Sequence, residues 1–136
     1  MNYYLQKIIK SLLERKLYYI VAIFLTIAIT VGSLISVKNV IELPAIQFFD
    51  KFLHFFAYFL LTLSWLITFI NKLNQQRKVV IIVVTVFAYG IIIEALQGAL
   101  TTYRQAELLD LFANFIGIGA AWVFFTVLFL KKYRMK

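Results

Sequence analysis

The sequence predicts an all-α membrane protein: a four-transmembrane-helix bundle with a short amphipathic N-terminal helix. Hydrophobic residues make up 63% of the chain and charged residues 15%, whereas a soluble domain is about half apolar and about a quarter charged. Four apolar segments approach the roughly 20 residues that cross the hydrocarbon core of a bilayer. Backbone groups in that core need internal partners, so we expect helices. The 136 residues fit one domain, 1–136.

The four predicted spans follow one another with short connections. The first covers approximately residues 17–36, the second 52–70, the third 79–97 and the fourth 111–130. Residues 5–16 precede the first span and alternate apolar and basic residues at helical spacing. We expect this segment to lie flat on the lipid headgroups of the cytoplasmic side.

The distribution of charge predicts the orientation in the membrane. The N-terminal segment, the loop at 71–78 and the C-terminal tail hold eleven basic residues and one acidic residue, a charge of +10. The opposite side holds three basic and five acidic residues, a charge of −2. Basic loops stay in the cytoplasm, so both termini are predicted there. The basic residues thereby have a role in topology, and we expect no nucleic-acid partner.

Polar residues of the last three spans converge near the predicted outer end of the bundle. They are Asp50, His54 and Tyr58 on the second helix, Glu94 and Gln97 on the third, and Asp110 and Asn114 on the fourth. At 100° per residue, each set falls within about 80° of arc on its own helix. A rise of about 1.5 Å per residue puts one polar residue of each helix roughly 5–6 Å inside the outer boundary.

Two interpretations of this convergence stay open. A charged side chain within a span costs about 2.5–3.5 kcal/mol at the helix centre, and less near the edge. In a structural network, Glu94 would pair with Lys51 or Arg104, and Asn114 would bond a neighbouring helix. Interhelical hydrogen bonds contribute only about 0.6 kcal/mol each. Stability alone is therefore a weak reason for so many polar residues, and a ligand or catalytic site is the favoured interpretation.

The residue types of this site suit an amphipathic ligand with an anionic head. Lys51 and Arg104 are the candidates for binding that head, because ammonium and guanidinium groups bind phosphate or carboxylate. The other candidate ligand-binding residues are Asp50, Tyr58, Gln97 and Asn114.

The same site holds candidates for acid–base catalysis. His54 can act as acid or base near neutral pH, and Asp50, Asp110 or Glu94 could orient it. Glu94 and Asp110 are also the plausible pair of carboxylates. One histidine and no cysteine disfavour a zinc site. A hard cation on Asp50, Glu94 and Asp110 is a weaker alternative, and we expect no metal and no cofactor.

Three ordered blocks of residues resemble the VanZ-like family, small bacterial membrane proteins named for a teicoplanin-resistance member. The blocks are Asp50-Lys51-x-x-His54-x-x-x-Tyr58, Glu94-x-x-Gln97 and Arg104-x5-Asp110-x3-Asn114-x-x-Gly117. The resemblance covers roughly residues 48–122. It departs from the family pattern in the loop 101–105, which lacks the aspartate that commonly accompanies the arginine.

The resemblance implies a multi-pass protein of the bacterial cytoplasmic (inner) membrane with a role in the cell envelope, sometimes linked to glycopeptide (teicoplanin) susceptibility. The expected partners are membrane lipids and either a lipid-linked envelope precursor or a lipoglycopeptide. The alternative function is a membrane-embedded hydrolase or transferase that acts on a lipid-linked envelope substrate. The residues do not separate an enzyme from a binding protein. Transport is disfavoured, because almost all polar residues lie in one half of the membrane.

Overall fold

The computed structural model describes residues 3–35, 47–69, 75–100 and 107–130. These ranges form four helices: α1 (Tyr3–Leu34), α2 (Gln47–Phe69), α3 (Gln75–Leu100) and α4 (Leu108–Phe125), the last of which continues as a π-helical turn over Thr126–Leu130. All four helices are long and apolar enough to cross a membrane, and the described ranges contain no strand. The predicted all-α membrane fold is therefore confirmed.

The membrane-spanning segments begin three or four residues before the predicted starts. They cover Leu13–Leu34, Phe49–Phe69, Gln76–Leu100 and Leu108–Leu128. Each extension adds a charged residue near the start of the segment, such as Asp50 or Asp110. A charged side chain in the first turn of a span can reach the membrane interface, so the helix does not have to end before it.

The N-terminal segment is helical, as predicted, but it is not a separate short helix, because it continues into the first span as one helix of 32 residues. No proline interrupts α1, and its single glycine, Gly32, lies near its C-terminal end. Nothing in the local sequence therefore breaks the helix between the amphipathic segment and the span.

Helices α2 and α4 run parallel and in close contact. Three contacting pairs occur in the same order along both helices, which shows that the helices are parallel: Lys51 with Asp110, His54 with Asn114, and Phe59 with Phe124. Between the last two pairs, Gly117 lies against the backbone of α2. A Cβ at Gly117 would overlap the carbonyl oxygen of Phe55 and come within 3.1 Å of the Phe59 nitrogen. Small residues of this kind let transmembrane helices approach closely.

Helix α3 packs antiparallel to α2. Tyr58, Leu61, Val86 and Ile118 form a buried cluster near the middle of the bundle. A second cluster of Leu66, Val79 and Phe125 lies towards the C-terminal ends of α2 and α4. Gly90 of α3 lies directly against the ring of Tyr58, where a Cβ would be 3.0 Å from a ring carbon. Both glycines therefore mark places where α2 meets a neighbouring helix.

Helix α1 attaches to the other helices through polar contacts that the sequence analysis did not anticipate. The Trp65 indole Nε1 donates to Thr26 Oγ1 at 3.2 Å, and Thr30 Oγ1 and the Tyr89 hydroxyl are 2.7 Å apart. Ala22 is fully buried, whereas most described side chains of α1 are exposed. Because a bilayer does not drive apolar helix faces together, such hydrogen bonds help to fix the position of α1.

Replacing Gly117 with alanine is expected to force α2 and α4 apart. Overpacking of this kind costs about 1–3 kcal/mol, so Gly117→Ala should lower the melting temperature of the purified protein in detergent. Gly119→Ala is the matched control on the same helix, since a Cβ there meets nothing within 4 Å. Equal stability of the two variants would contradict the close α2–α4 contact.

Candidate functional site

The predicted site residues meet where α2 and α4 begin and α3 ends. Asp50 lies in the first turn of α2 and Asp110 in the first turn of α4. The parallel arrangement brings the two helix N-termini side by side, and their partial positive charge favours carboxylates there. We name the group at this place the α2–α4 polar cluster. It consists of Asp50, Lys51, His54, Glu107, Asp110 and Asn114.

Lys51 is at the centre of the ion pairs in the α2–α4 polar cluster. Its ammonium donates to Asp110 Oδ1 and, at 2.5 Å, to Glu107 Oε2. Asp50 Oδ2 is a further 3.6 Å contact. The two main partners differ in exposure, since the Asp110 side chain is 5% exposed and that of Glu107 is 56% exposed. Lys51 therefore has one buried and one solvent-accessible carboxylate partner.

His54 bridges the same two helices one turn deeper. Its Nδ1 lies 3.0 Å from Asn114 Oδ1, and its Nε2 lies 3.8 Å from Asp110 Oδ2. The side chain of His54 is only 10% exposed. Through these two contacts the His54 ring links α2 to both Asn114 and Asp110 of α4.

Glu94 accepts a backbone hydrogen bond from the residue that precedes α4. One of its carboxylate oxygens, Oε1, accepts the backbone N–H of Glu107 at 2.9 Å. Glu107 has an extended backbone and is the residue that precedes α4. Its carbonyl oxygen accepts the backbone N–H of Asp110 at 3.0 Å. Glu94, which is 6% exposed, thus ties the end of α3 to the start of α4.

The remaining predicted site residues that the structure describes are buried. Tyr58 and Asn114 are each 2% exposed, and Gln97 is 1% exposed. Within the described part of the chain, the Tyr58 hydroxyl and the Asn114 amide nitrogen Nδ2 make no hydrogen bond. Arg104 lies outside the described residues. An unmatched buried donor is costly, so the Asn114 amide nitrogen is suited to a ligand oxygen.

Carboxylates surround the ammonium of Lys51 in the α2–α4 polar cluster. They belong to Asp50, Glu107 and Asp110. Glu94 adds a negative charge next to the cluster. From the sequence, Lys51 is predicted to bind an anionic head, whereas in the structure these carboxylates already contact its ammonium. An anion that binds Lys51 would compete with these carboxylates for its N–H groups.

Three side chains of the cluster bring possible metal-ligand atoms close together. Asp50, His54 and Asp110 each offer a ligand atom, and these atoms all lie within 4.8 Å of one another. The sequence-based alternative for a cation grouped Asp50 and Asp110 with Glu94 and not with His54. Helical periodicity shows which residues share one face of a helix. It does not show which residues of a neighbouring helix that face contacts.

Sequence reasoning did not single out Glu107, which binds Lys51 through its side chain and Glu94 through its backbone. The available signal was its position three residues before Asp110, because the residue before a helix often places polar groups over the first turn. The contacts of Thr26 and Thr30 were also missed. Their signal was the spacing of four residues, which gives an apolar span one polar stripe.

Comparison of the chain with known protein families, characterised proteins and solved structures found no match.

The two carboxylate partners of Lys51 are expected to contribute unequally to stability. Asp110→Asn should lower the free energy of unfolding by about 1.5–3 kcal/mol, because it removes a buried charge-assisted hydrogen bond. Glu107→Gln should lower it by less than about 1 kcal/mol, because that pair is solvent-exposed. Both free energies can be measured by denaturant unfolding in detergent micelles. A larger effect of Glu107→Gln would contradict the central position of Asp110.

Proposed function

We propose that this chain is a VanZ-like membrane protein of the bacterial cell envelope, and that the α2–α4 polar cluster faces the outside and binds the anionic head of an amphipathic ligand. The ligand class is a lipid-linked envelope precursor or a lipoglycopeptide, with its apolar tail in the surrounding lipid. The proposal rests on the sequence resemblance, the charge distribution and the arrangement of carboxylates around Lys51.

The charge distribution supports the outward orientation. The end of the bundle opposite the cluster carries Arg15 and Lys16 on α1 and Arg77 and Lys78 on α3. A basic end of this kind stays in the cytoplasm under the positive-inside rule. The acidic end with the cluster would then lie at the outer leaflet, where it is accessible to envelope lipids and to antibiotics.

The observation that carries the proposal is the unequal exposure of the carboxylates that hold Lys51. Asp110 is buried and fixes the ammonium in place, whereas Glu107 is more than half exposed. An exposed ion pair is worth about 0–1 kcal/mol, so a phosphate or carboxylate can replace Glu107 on Lys51 at little cost. The amide nitrogen of Asn114, one turn deeper on α4, is a further buried donor in the α2–α4 polar cluster.

A second candidate function is the hydrolysis or transfer of a lipid-linked group. The contacts of His54 favour it, because Asn114 fixes one ring nitrogen and leaves Nε2 facing Asp110 at 3.8 Å. A histidine whose orientation is fixed in this way can remove a proton from water or a hydroxyl group. Turnover that is lost in His54→Asn, with ligand binding retained, would identify an enzyme.

If an anionic lipid replaces Glu107 on Lys51, two substitutions should change the affinity for that lipid in opposite directions. Lys51→Gln removes a charge-assisted hydrogen bond worth about 1.5–3 kcal/mol, so affinity should fall by about 10- to 150-fold. Glu107→Gln removes the competing carboxylate, so affinity should rise. The measurement is a titration of the full chain in detergent with a short-chain phosphatidylglycerol, and the control ligand is the zwitterionic phosphatidylcholine of equal chain length.

Two results would contradict the replacement of Glu107 by the lipid: a fall in affinity in both variants, or equal binding of the two lipids.

The proposed link to antibiotics is tested separately, by the susceptibility of a Gram-positive host to teicoplanin and vancomycin at matched membrane levels of each variant. Wild type should protect and Lys51→Gln should not. Equal susceptibility would separate this protein from glycopeptides.

A further inference from the structure

We propose that a cavity between α1, α2 and α3 binds one acyl chain of an anionic phospholipid, and that Lys78 at the open end of this cavity binds the phosphate of the same lipid. The cavity has a volume of about 490 Å³, within the range of about 300–1,000 Å³ that is typical of ligand sites. No residue of the α2–α4 polar cluster lines it. Its lining includes Thr26 of α1, Leu61 and Trp65 of α2, and Lys78, Val86 and Tyr89 of α3.

The depth of the cavity matches one leaflet of a bilayer. Its lining on α3 extends from Lys78, near the start of the helix, to Tyr89. These residues are eleven positions apart, which at about 1.5 Å per residue corresponds to about 16 Å. The hydrocarbon core is about 30 Å thick, so the cavity extends from the membrane surface at the Lys78 end to about the middle of the bilayer. The acyl chain of a phospholipid in that leaflet covers the same depth.

The cavity has a buried inner wall and an exposed edge. Leu61 and Val86 belong to the inner wall, since both are buried in the bundle. Phe69 and Ile81 line the same cavity but are exposed, and both lie on segments long and apolar enough to span a membrane. The exposed surface of such segments contacts acyl chains in a bilayer. A chain can therefore enter the cavity sideways from the surrounding lipid.

Hydrogen bonds between helices already use the polar groups of Trp65, Tyr89 and Thr26. The Trp65 indole donates to Thr26 Oγ1 at 3.2 Å, and the Tyr89 hydroxyl donates to the Thr26 carbonyl oxygen at 3.1 Å. Thr26 Oγ1 in turn donates to the Ala22 carbonyl oxygen at 2.8 Å. A polar ligand would have to replace these bonds, because a buried polar group without a partner is costly. A hydrocarbon chain needs no such partner, so it suits this interior.

Lys78 indicates the charge of the proposed lipid. Among the described residues that line the cavity, Lys78 alone is charged, and it is the fourth residue of α3, at the level of the headgroups. Lys78 also takes part in an interaction within the chain. An ammonium has three N–H donors, so it can bind a phosphate oxygen in addition. Arg77 is adjacent and exposed, and basic residues near the membrane surface attract anionic lipids.

The test uses the two tryptophans of the chain, because bromine atoms on an acyl chain quench tryptophan fluorescence at short range. Trp122→Phe leaves Trp65 as the reporter in the cavity, and Trp65→Phe leaves Trp122, which is exposed on α4. The full chain is reconstituted in phosphatidylcholine vesicles that contain brominated phosphatidylglycerol or, at equal mole fraction, brominated phosphatidylcholine. Phosphatidylglycerol should quench Trp65 at the lower mole fraction, whereas the two lipids should quench Trp122 to a similar extent.

Substitutions on the Trp122→Phe background test the role of Lys78. Lys78→Gln should lower the preference of the cavity for phosphatidylglycerol by about 10-fold, the effect of losing one charge-assisted hydrogen bond. Arg77→Gln is the matched control, because it removes the same charge from a neighbouring residue that does not line the cavity. It should lower the preference by about 5-fold at most, since it removes only general attraction to anionic lipid.

Thr85→Phe tests the cavity itself, because Thr85 lies at its exposed edge and a phenyl ring there would occupy part of its volume. Quenching of Trp65 by either lipid should fall. Equal quenching of Trp65 by the two lipids, equal effects of Lys78→Gln and Arg77→Gln, or undiminished quenching in Thr85→Phe would overturn the proposal. Lys51→Gln, at the other end of the bundle, should leave the quenching of Trp65 unchanged, so this proposal and the proposed function can fail separately.

Discussion

The close approach of α2 and α4 at Gly117 is the constraint on which the site depends. Gly117 leaves no space for a side chain beside the Phe55 carbonyl group, so the two backbones meet one turn below His54 and Asn114. Because the helices are parallel, this contact sets their register and brings both N-terminal first turns together. If α2 and α4 were further apart, Lys51 and His54 on α2 would not contact Asp110 on α4.

Burying this many charges in a membrane protein requires that each has partners. Asp110 obtains a lysine and the favourable end of a helix dipole, and Glu94 obtains a backbone N–H at the start of α4. Lys51 keeps one carboxylate partner, Glu107, whose side chain is more than half exposed, and a purely structural network does not need an exposed partner. This exposed ion pair is the basis for the proposal that the cluster binds a ligand.

The sequence was sufficient to predict the four spans and the residues that share each helix face, because hydropathy and the 100° period are local properties. His54 and Asn114 were expected at one depth, and they form a hydrogen bond. The register between helices is not local, so the pairing of Lys51 with Asp110 and the use of Glu94 to hold α4 could not be derived. The attachment of α1 through Thr26 and Trp65 could not be predicted for the same reason, since it depends on which helix packs against α1.

The central claim is that the α2–α4 polar cluster faces the outside of the cell, and the absence of cysteine from the chain makes it directly testable. Glu107→Cys places a thiol at the exposed edge of the cluster, and Gln76→Cys places one at the exposed start of α3, at the opposite end. A membrane-impermeant maleimide should label Glu107→Cys in intact cells and Gln76→Cys only after permeabilisation. The reverse pattern would put the cluster in the cytoplasm and contradict a role in binding envelope ligands.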